Sequence, residues 1–151
     1  LVRAACAAFP FRVLLAVDVH RGEVVVDGWR RTTGVTARDF ARRFDRLDLS
    51  AIVVTDIDYD IALPGASFAL VSGLSRALVT PVIASGLVKT LDDLATLSYL
   101  DAVSGVVIGR ALHGGKFRLA EALSLVRETQ MALRGEGRFH KPGPAPVPPA
   151  A

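Results

Sequence analysis

The sequence predicts an α/β fold of four βα units, with parallel strands joined by right-handed helical crossovers. Three observations carry that expectation. Short β-branched runs alternate four times with patterns of helical period. The strand runs are continuously apolar, as in strands covered on both faces. Hydrophobic residues make up 51% of the chain, yet no apolar run reaches the ~20 residues of a membrane span.

Val13-Leu14-Leu15-Ala16-Val17, ending in Asp18, reads as the first buried strand. His20 to Asp27 reads as a small excursion with Val24-Val25-Val26 as its extended part. Thr36 has the hydroxyl of an N-cap. Ala37, Phe40, Ala41, Phe44 and Leu47 then recur at helical spacing, with Arg and Asp on the other face. Ala51 to Asp56 is the second strand, and Ser67 is expected to cap the helix whose stripe is Leu70, Val71, Leu74, Ala77 and Leu78. Gly73 is a weak point within that helix. Pro81 to Ala84 is the third strand, and Thr90 with Asp93 forms a shortened capping box for the third helix. Gly105 to Ile108 is the fourth strand and Leu119 to Val126 the fourth helix.

Four βα units amount to half of a (β/α)8 barrel of the TIM type, whose whole form takes roughly 250 residues. Residues 1–134 are assigned to that half barrel. Residues 135–151, where Pro142, Pro144, Pro146, Pro148 and Pro149 crowd together, are assigned to a Gly/Pro-rich disordered tail. A half sheet leaves two open edges and an uncovered face. Either a first half precedes Leu1, or two copies pair, or the chain is a damaged remnant. Leu1-Val2-Arg3 shows neither an initiator Met nor a signal-peptide pattern, so a start inside a longer reading frame is expected.

The single cysteine, Cys6, cannot form an intrachain disulfide. A cytoplasmic location is the default, and Cys6 reads as a small buried hydrophobe. The formal charge is +3. Arg127, Arg134, Arg138 and Lys141 against Glu128 and Glu136 put most of it near the C-terminus. No clustered basic face is visible in the sequence, so neither a nucleic-acid nor a membrane partner is expected. His20, His113 and His140 stand at spacings of no metal motif, and no glycine-rich dinucleotide fingerprint occurs. Neither metal nor cofactor is expected.

Functional groups of parallel α/β barrels gather at the C-terminal ends of strands. Here those ends carry Asp18, Thr55-Asp56, Ser85-Gly86 and Gly109-Arg110, so all four are expected on one rim. Ordinary loop capping is the alternative for the polar strand ends.

Ala16-Val17-Asp18, Gly28-Trp29 and Thr55-Asp56-Ile57 resemble the fifth and sixth strands of the ProFAR isomerases (phosphoribosylformimino-aminoimidazole carboxamide ribotide isomerases) of histidine biosynthesis. Ala84-Ser85-Gly86 and Val107 to Leu112 resemble the seventh and eighth, and Gly115-Lys116-Phe117 and Ala120-Glu121-Ala122 also match. The resemblance runs from Leu1 to about Arg127 and makes the chain a C-terminal half barrel. The related cyclase subunit has Thr-Ser after the sixth strand and lacks the Gly-Trp element. The bifunctional actinobacterial isomerase is a closer relative.

The resemblance implies an Amadori rearrangement of an aminoaldose to an aminoketose, on a phosphoribosyl small molecule. It makes Asp18 the acid that opens the ribose ring, with Thr55 positioning it. An acid working at neutral pH needs a pKa above the ordinary carboxylate range, which a partly dry barrel mouth supplies. Backbone N–H groups at Ser85, Gly86, Gly109 and Arg110 would hold one phosphate, and Trp29 would lie over the substrate's aromatic ring. The alternatives are a loop-capping role for Asp18, tight packing for Gly109, a solvated or ion-paired Arg110 and a core tryptophan at Trp29. The family's base sits on the first strand, which this chain does not include. A lone chain therefore needs an N-terminal half, or is an inactive half barrel that self-associates or partners another subunit.

Three departures from the family bear on activity. Asp60-Ile61-Ala62 stands where Asp-Gly-Thr is usual, Leu87 replaces the second glycine of Ser-Gly-Gly, and His20 replaces a common arginine. Leu87 is expected to crowd the phosphate or twist its loop. Restoring Leu87→Gly and Ile61→Gly beside a supplied first half is expected to restore turnover.

Overall fold

The computed structural model describes residues 1–60, 64–100 and 102–135. Among these residues, six strands form one sheet: β1 (Val13–His20), β2 (Glu23–Val26), β3 (Arg31–Thr36), β4 (Leu49–Asp56), β5 (Val82–Ser85) and β6 (Val103–Val107). Their spatial order is β3-β2-β1-β4-β5-β6. β1, β4, β5 and β6 are mutually parallel, and these are the four predicted strands. The remaining two form an antiparallel excursion from β1. The result is an α/β fold with a parallel-rich sheet, consistent with the TIM-barrel class.

Among the described residues the α-helices are α1 (Val2–Ala8), α2 (Ala37–Arg42), α3 (Pro64–Ala77), α4 (Leu91–Ser98), α5 (Arg110–His113) and α6 (Leu119–Gly135), and a 3₁₀ turn, Ile57–Asp60, follows β4. Val17, Val19, Ile52, Val54, Val82 and Ala84 point from the strands into the core. There they meet Val71, Leu74 and Leu78 of the α3 region, Leu94 and Leu97 of α4 and Ala122 of α6. Period-2 alternation sends the next residues to the opposite face. On that face Leu14 is 55% and Val107 48% exposed.

The predicted caps hold at two helices. Thr36 accepts from the Asp39 amide at 3.1 Å. At α4 the box is reciprocal: Thr90 Oγ1 accepts from the Asp93 amide, and Asp93 accepts from the Thr90 amide at 2.9 Å. Ser67 is a correction. It is fully buried inside α3, which begins at Pro64, and its Oγ has no hydrogen-bond partner among the described residues. Pro64 suits a first helical turn, where a missing N–H costs little, so proline rather than serine starts this helix.

Besides the 3₁₀ turn, three elements were absent from the sequence-based expectation. β3 lacks strict alternation but pairs with β2, which fixes it as a strand. α1 is a short alanine-rich helix that buries Cys6 to 3% exposure, as expected of a small hydrophobe. α5 is a single turn between Gly109 and Gly114. α2 ends at Arg42, short of the predicted Leu47, while α6 runs well past Val126. Arg3 joins Arg42, Arg43, Asp45 and Arg46 around one surface cleft, a contact across 40 residues of sequence. The Gly/Pro-rich segment lies outside the described residues, apart from Gly135.

Candidate active site

Parallel pairing sets the predicted residues in register. Asp18 of β1 pairs with Thr55 of β4, Thr55 with Ser85 of β5, and Ser85 with Val107 of β6. Paired residues of neighbouring strands share a face. Asp18, Thr55 and Ser85 therefore form one row across the sheet, near the C-terminal strand ends. The register thus brings three of the expected strand-end residues together.

Trp29 belongs to this row through its side chain. Its Nε1–H donates to Asp18 Oδ2 at 2.8 Å. The ring is 58% exposed, which removes the core-tryptophan alternative. Asp27, Gly28 and Trp29 carry φ values of 56°, 64° and 68°. The left-handed region costs Gly28 nothing, but it is unfavourable for Asp27 and most of all for a bulky tryptophan. Such strain concentrates at functional positions, and here it turns the β2–β3 connection so that the indole reaches the carboxylate. Asp18 accepts from Trp29; among the described residues no hydrogen bond joins it to Thr55.

Gly86, Gly109 and Arg110 come together elsewhere on the rim. With Val88, Lys89, Val107, Ala111 and Lys116 they line a cavity of about 210 Å³. Gly86 has φ +78°, which disfavours any side chain. A Cβ at Gly109 would meet nothing within 4 Å, so tight packing does not account for that glycine. Ser85 stays in the Asp18 row and outside the cavity lining. The predicted residues thus divide into two neighbouring groups, an acid row and a basic glycine-lined cavity.

Leu87 corrects an expectation. It is fully buried in the hydrophobic core, does not line the cavity, and is not among the residues at positive φ. Its side chain turns away from the loop surface, so it neither crowds the cavity nor forces the backbone. Ile61 and Ala62 lie outside the described residues. His20 Nδ1 sits 2.6 Å from Asp58 Oδ1, and Asp58 also accepts from the Arg21 amide. His20 therefore ties the end of β1 to the turn after β4. Among the described residues no group of three or more His, Cys, Asp or Glu side chains is placed to hold a metal ion. Among the described residues, no helix is long and apolar enough to cross a membrane.

Two residues beside the cavity escaped the sequence reading. Lys89 Nζ lies 4.6 Å from the centroid of the Tyr59 ring, and Tyr59 is 3% exposed. Asp93 joins them. Burial raises its pKa, but hydrogen bonds from the Tyr59 side chain, the Lys89 and Thr90 amides and the Thr90 hydroxyl outweigh that and leave it below the ordinary 3.8. Lys89 immediately precedes the predicted capping box, which was the available signal. Tyr59 carried none, because its partners are distant in sequence.

The family model described as histidine biosynthesis protein matches residues 1–118. Similar curated proteins are named 1-(5-phosphoribosyl)-5-((5-phosphoribosylamino)methylideneamino) imidazole-4-carboxamide isomerase. The one from Pelobacter propionicus is 42% identical over 127 residues, which is 83% of this chain and 52% of the relative. The one from Geotalea daltonii is 40% identical over 129 residues, 84% of this chain and 53% of the relative. The one from Jannaschia sp. is 44% identical over 123 residues, 82% of this chain and 52% of the relative. The chain spans about half the length of the curated relatives it matches. With a family model matched over most of its residues, the chain belongs to the histidine biosynthesis protein family.

Proposed function

We propose that the chain is the C-terminal half of a (β/α)8-barrel aldose–ketose isomerase. It would act in the cytoplasm on a phosphoribosyl aminoaldose, converting ProFAR to its aminoketose without a cofactor. The observation that carries the reading is the Asp18–Thr55–Ser85 row beside a glycine-lined basic cavity. In the proposed mechanism Asp18 gives its proton to the ribose ring oxygen. The ring C–O bond breaks and leaves an open-chain iminium. A base then takes the proton from the adjacent carbon, and the resulting enamine tautomerises to the ketose. Trp29 holds the Asp18 carboxyl group in position by donating its N–H to Oδ2, leaving the other oxygen to carry the proton. Backbone amides at Gly86 and Gly109, with Arg110, hold one phosphate. The base comes from an N-terminal half carrying the first strand.

The test is ProFAR turnover by this chain alone and mixed with a separately expressed N-terminal half from a family member. Turnover confined to the mixture is the expected result. Folded protein that gives none in either condition sinks the isomerase reading and favours a second one, an inactive half barrel that pairs with itself or another subunit. The exposed Leu14 and Val107 on the sheet face opposite the core support that second reading.

A further inference from the structure

Three basic side chains, Lys89, Arg110 and Lys116, line the cavity beside Gly86, and among the described residues that line it none is acidic. Cations grouped with glycine amides select a compact anion with several acceptor oxygens, and a phosphate monoester fits that description. Lys89 is held in an unusual way. Its ammonium lies over the Tyr59 ring at 4.6 Å, within cation–π range. Its backbone amide donates to Asp93 Oδ2 at 3.0 Å, and the same carboxylate accepts from the Tyr59 hydroxyl. Tyr59 is itself fixed, nearly fully buried with its ring 5.8 Å from that of Phe68. A carboxylate thus ties the lysine backbone to the ring beneath its ammonium, and a cation ordered in advance loses less freedom on binding.

We propose that Lys89 is a specificity-determining residue of this pocket, selecting dianionic phosphate monoesters over monoanions, with Tyr59 as its positioning residue. The proposal rests on the reading of the cavity as a phosphate subsite. A phosphate monoester gains its second charge near pH 6. A pre-held ammonium rewards that second charge more than neutral backbone amides do.

The test is calorimetric titration of the 151-residue chain with ribose 5-phosphate and with inorganic phosphate between pH 5.5 and 7.5. Wild-type affinity should rise with pH through about 6. Lys89→Ala should weaken binding about tenfold at pH 7.5, the scale of one charge-assisted contact, and should flatten the rise. Lys89→Arg should recover part of both. Tyr59→Phe keeps the ring but loses the tie to Asp93 and should bind between wild type and Lys89→Ala, whereas Tyr59→Leu should behave like Lys89→Ala. Lys89 is exposed, so its variants decide the matter if Tyr59→Leu fails to fold. Wild-type affinity and pH dependence in Lys89→Ala, with binding lost in Arg110→Ala, overturn the lysine proposal and leave the phosphate subsite standing. A wild-type chain that binds neither probe overturns both.

Discussion

Leu87→Gly distinguishes a core residue from an intruder in a binding loop. The leucine is fully buried and packed in the hydrophobic cluster. Removing a buried leucine side chain to Cβ costs about 2–5 kcal/mol in transfer and cavity terms. Glycine adds roughly 0.5–1 kcal/mol of backbone entropy. The combined loss of about 3–6 kcal/mol is a large share of the ~5–15 kcal/mol that holds a typical domain. At roughly 2–4 °C per kcal/mol for a chain of this size, the melting temperature should fall by about 6–24 °C. Urea unfolding followed by far-ultraviolet circular dichroism measures the loss. Titration of the folded variant with ribose 5-phosphate at low temperature measures the pocket, where affinity should stay within about threefold because the side chain does not line it. A loss under about 1 kcal/mol, or tighter phosphate binding, would refute the placement of Leu87 in the core.

Gly86→Ala should cost about 1–2 kcal/mol, because φ is +78°. The new Cβ, 3.6 Å from Thr55 Cγ2, adds no clash, so the loss should come with weaker ribose 5-phosphate binding as the loop amides shift. Thr90→Ala should lower stability by about 1 kcal/mol through loss of the cap, read from the urea midpoint. The Asp93 carboxyl has a folded pKa below its ordinary 3.8. Its contribution is therefore complete above the ordinary value and lost as pH falls below it through the folded pKa; Asp93→Asn should make the urea midpoint less steep between pH 2.5 and 5. Trp29 is the only tryptophan and donates to Asp18, so Asp18→Asn should shift the indole emission while changing stability by less than about 1 kcal/mol.

The parallel framework was legible because its signals are local. Continuous apolar runs mark β1, β4, β5 and β6, and a hydroxyl three residues before a carboxylate marks the starts of α2 and α4. β3 was not legible. Arg31-Thr32-Thr33-Gly34-Val35-Thr36 has no apolar face of its own and becomes a strand through pairing with β2. The start of α3 was misplaced because Ser67 has the chemistry of a cap but the burial of a core residue. Within the site, residues at strand ends could be named because strand ends are readable. Tyr59 and Lys89 could not, since their contact joins a turn after β4 to a loop after β5, 30 residues apart. Leu87 shows the opposite limit. Departure from a family pattern says that a residue changed, but only the backbone direction says which way its side chain went.

Strand pairing also gives the proposed site a gauge of ligand length. Adjacent strands lie ~4.8 Å apart, and β1 stands two places from β5 and three from β6. Measured along the sheet, the step from Asp18 to the Gly86 and Gly109 loops is on the order of 10–14 Å. A free phosphate occupies one end of that span and leaves the carboxylate idle. A molecule must carry its phosphate and its acid-labile ring at matching separation to engage both ends together. Small phosphates should thus compete for the pocket without being turned over, a discrimination set by the distance between strands.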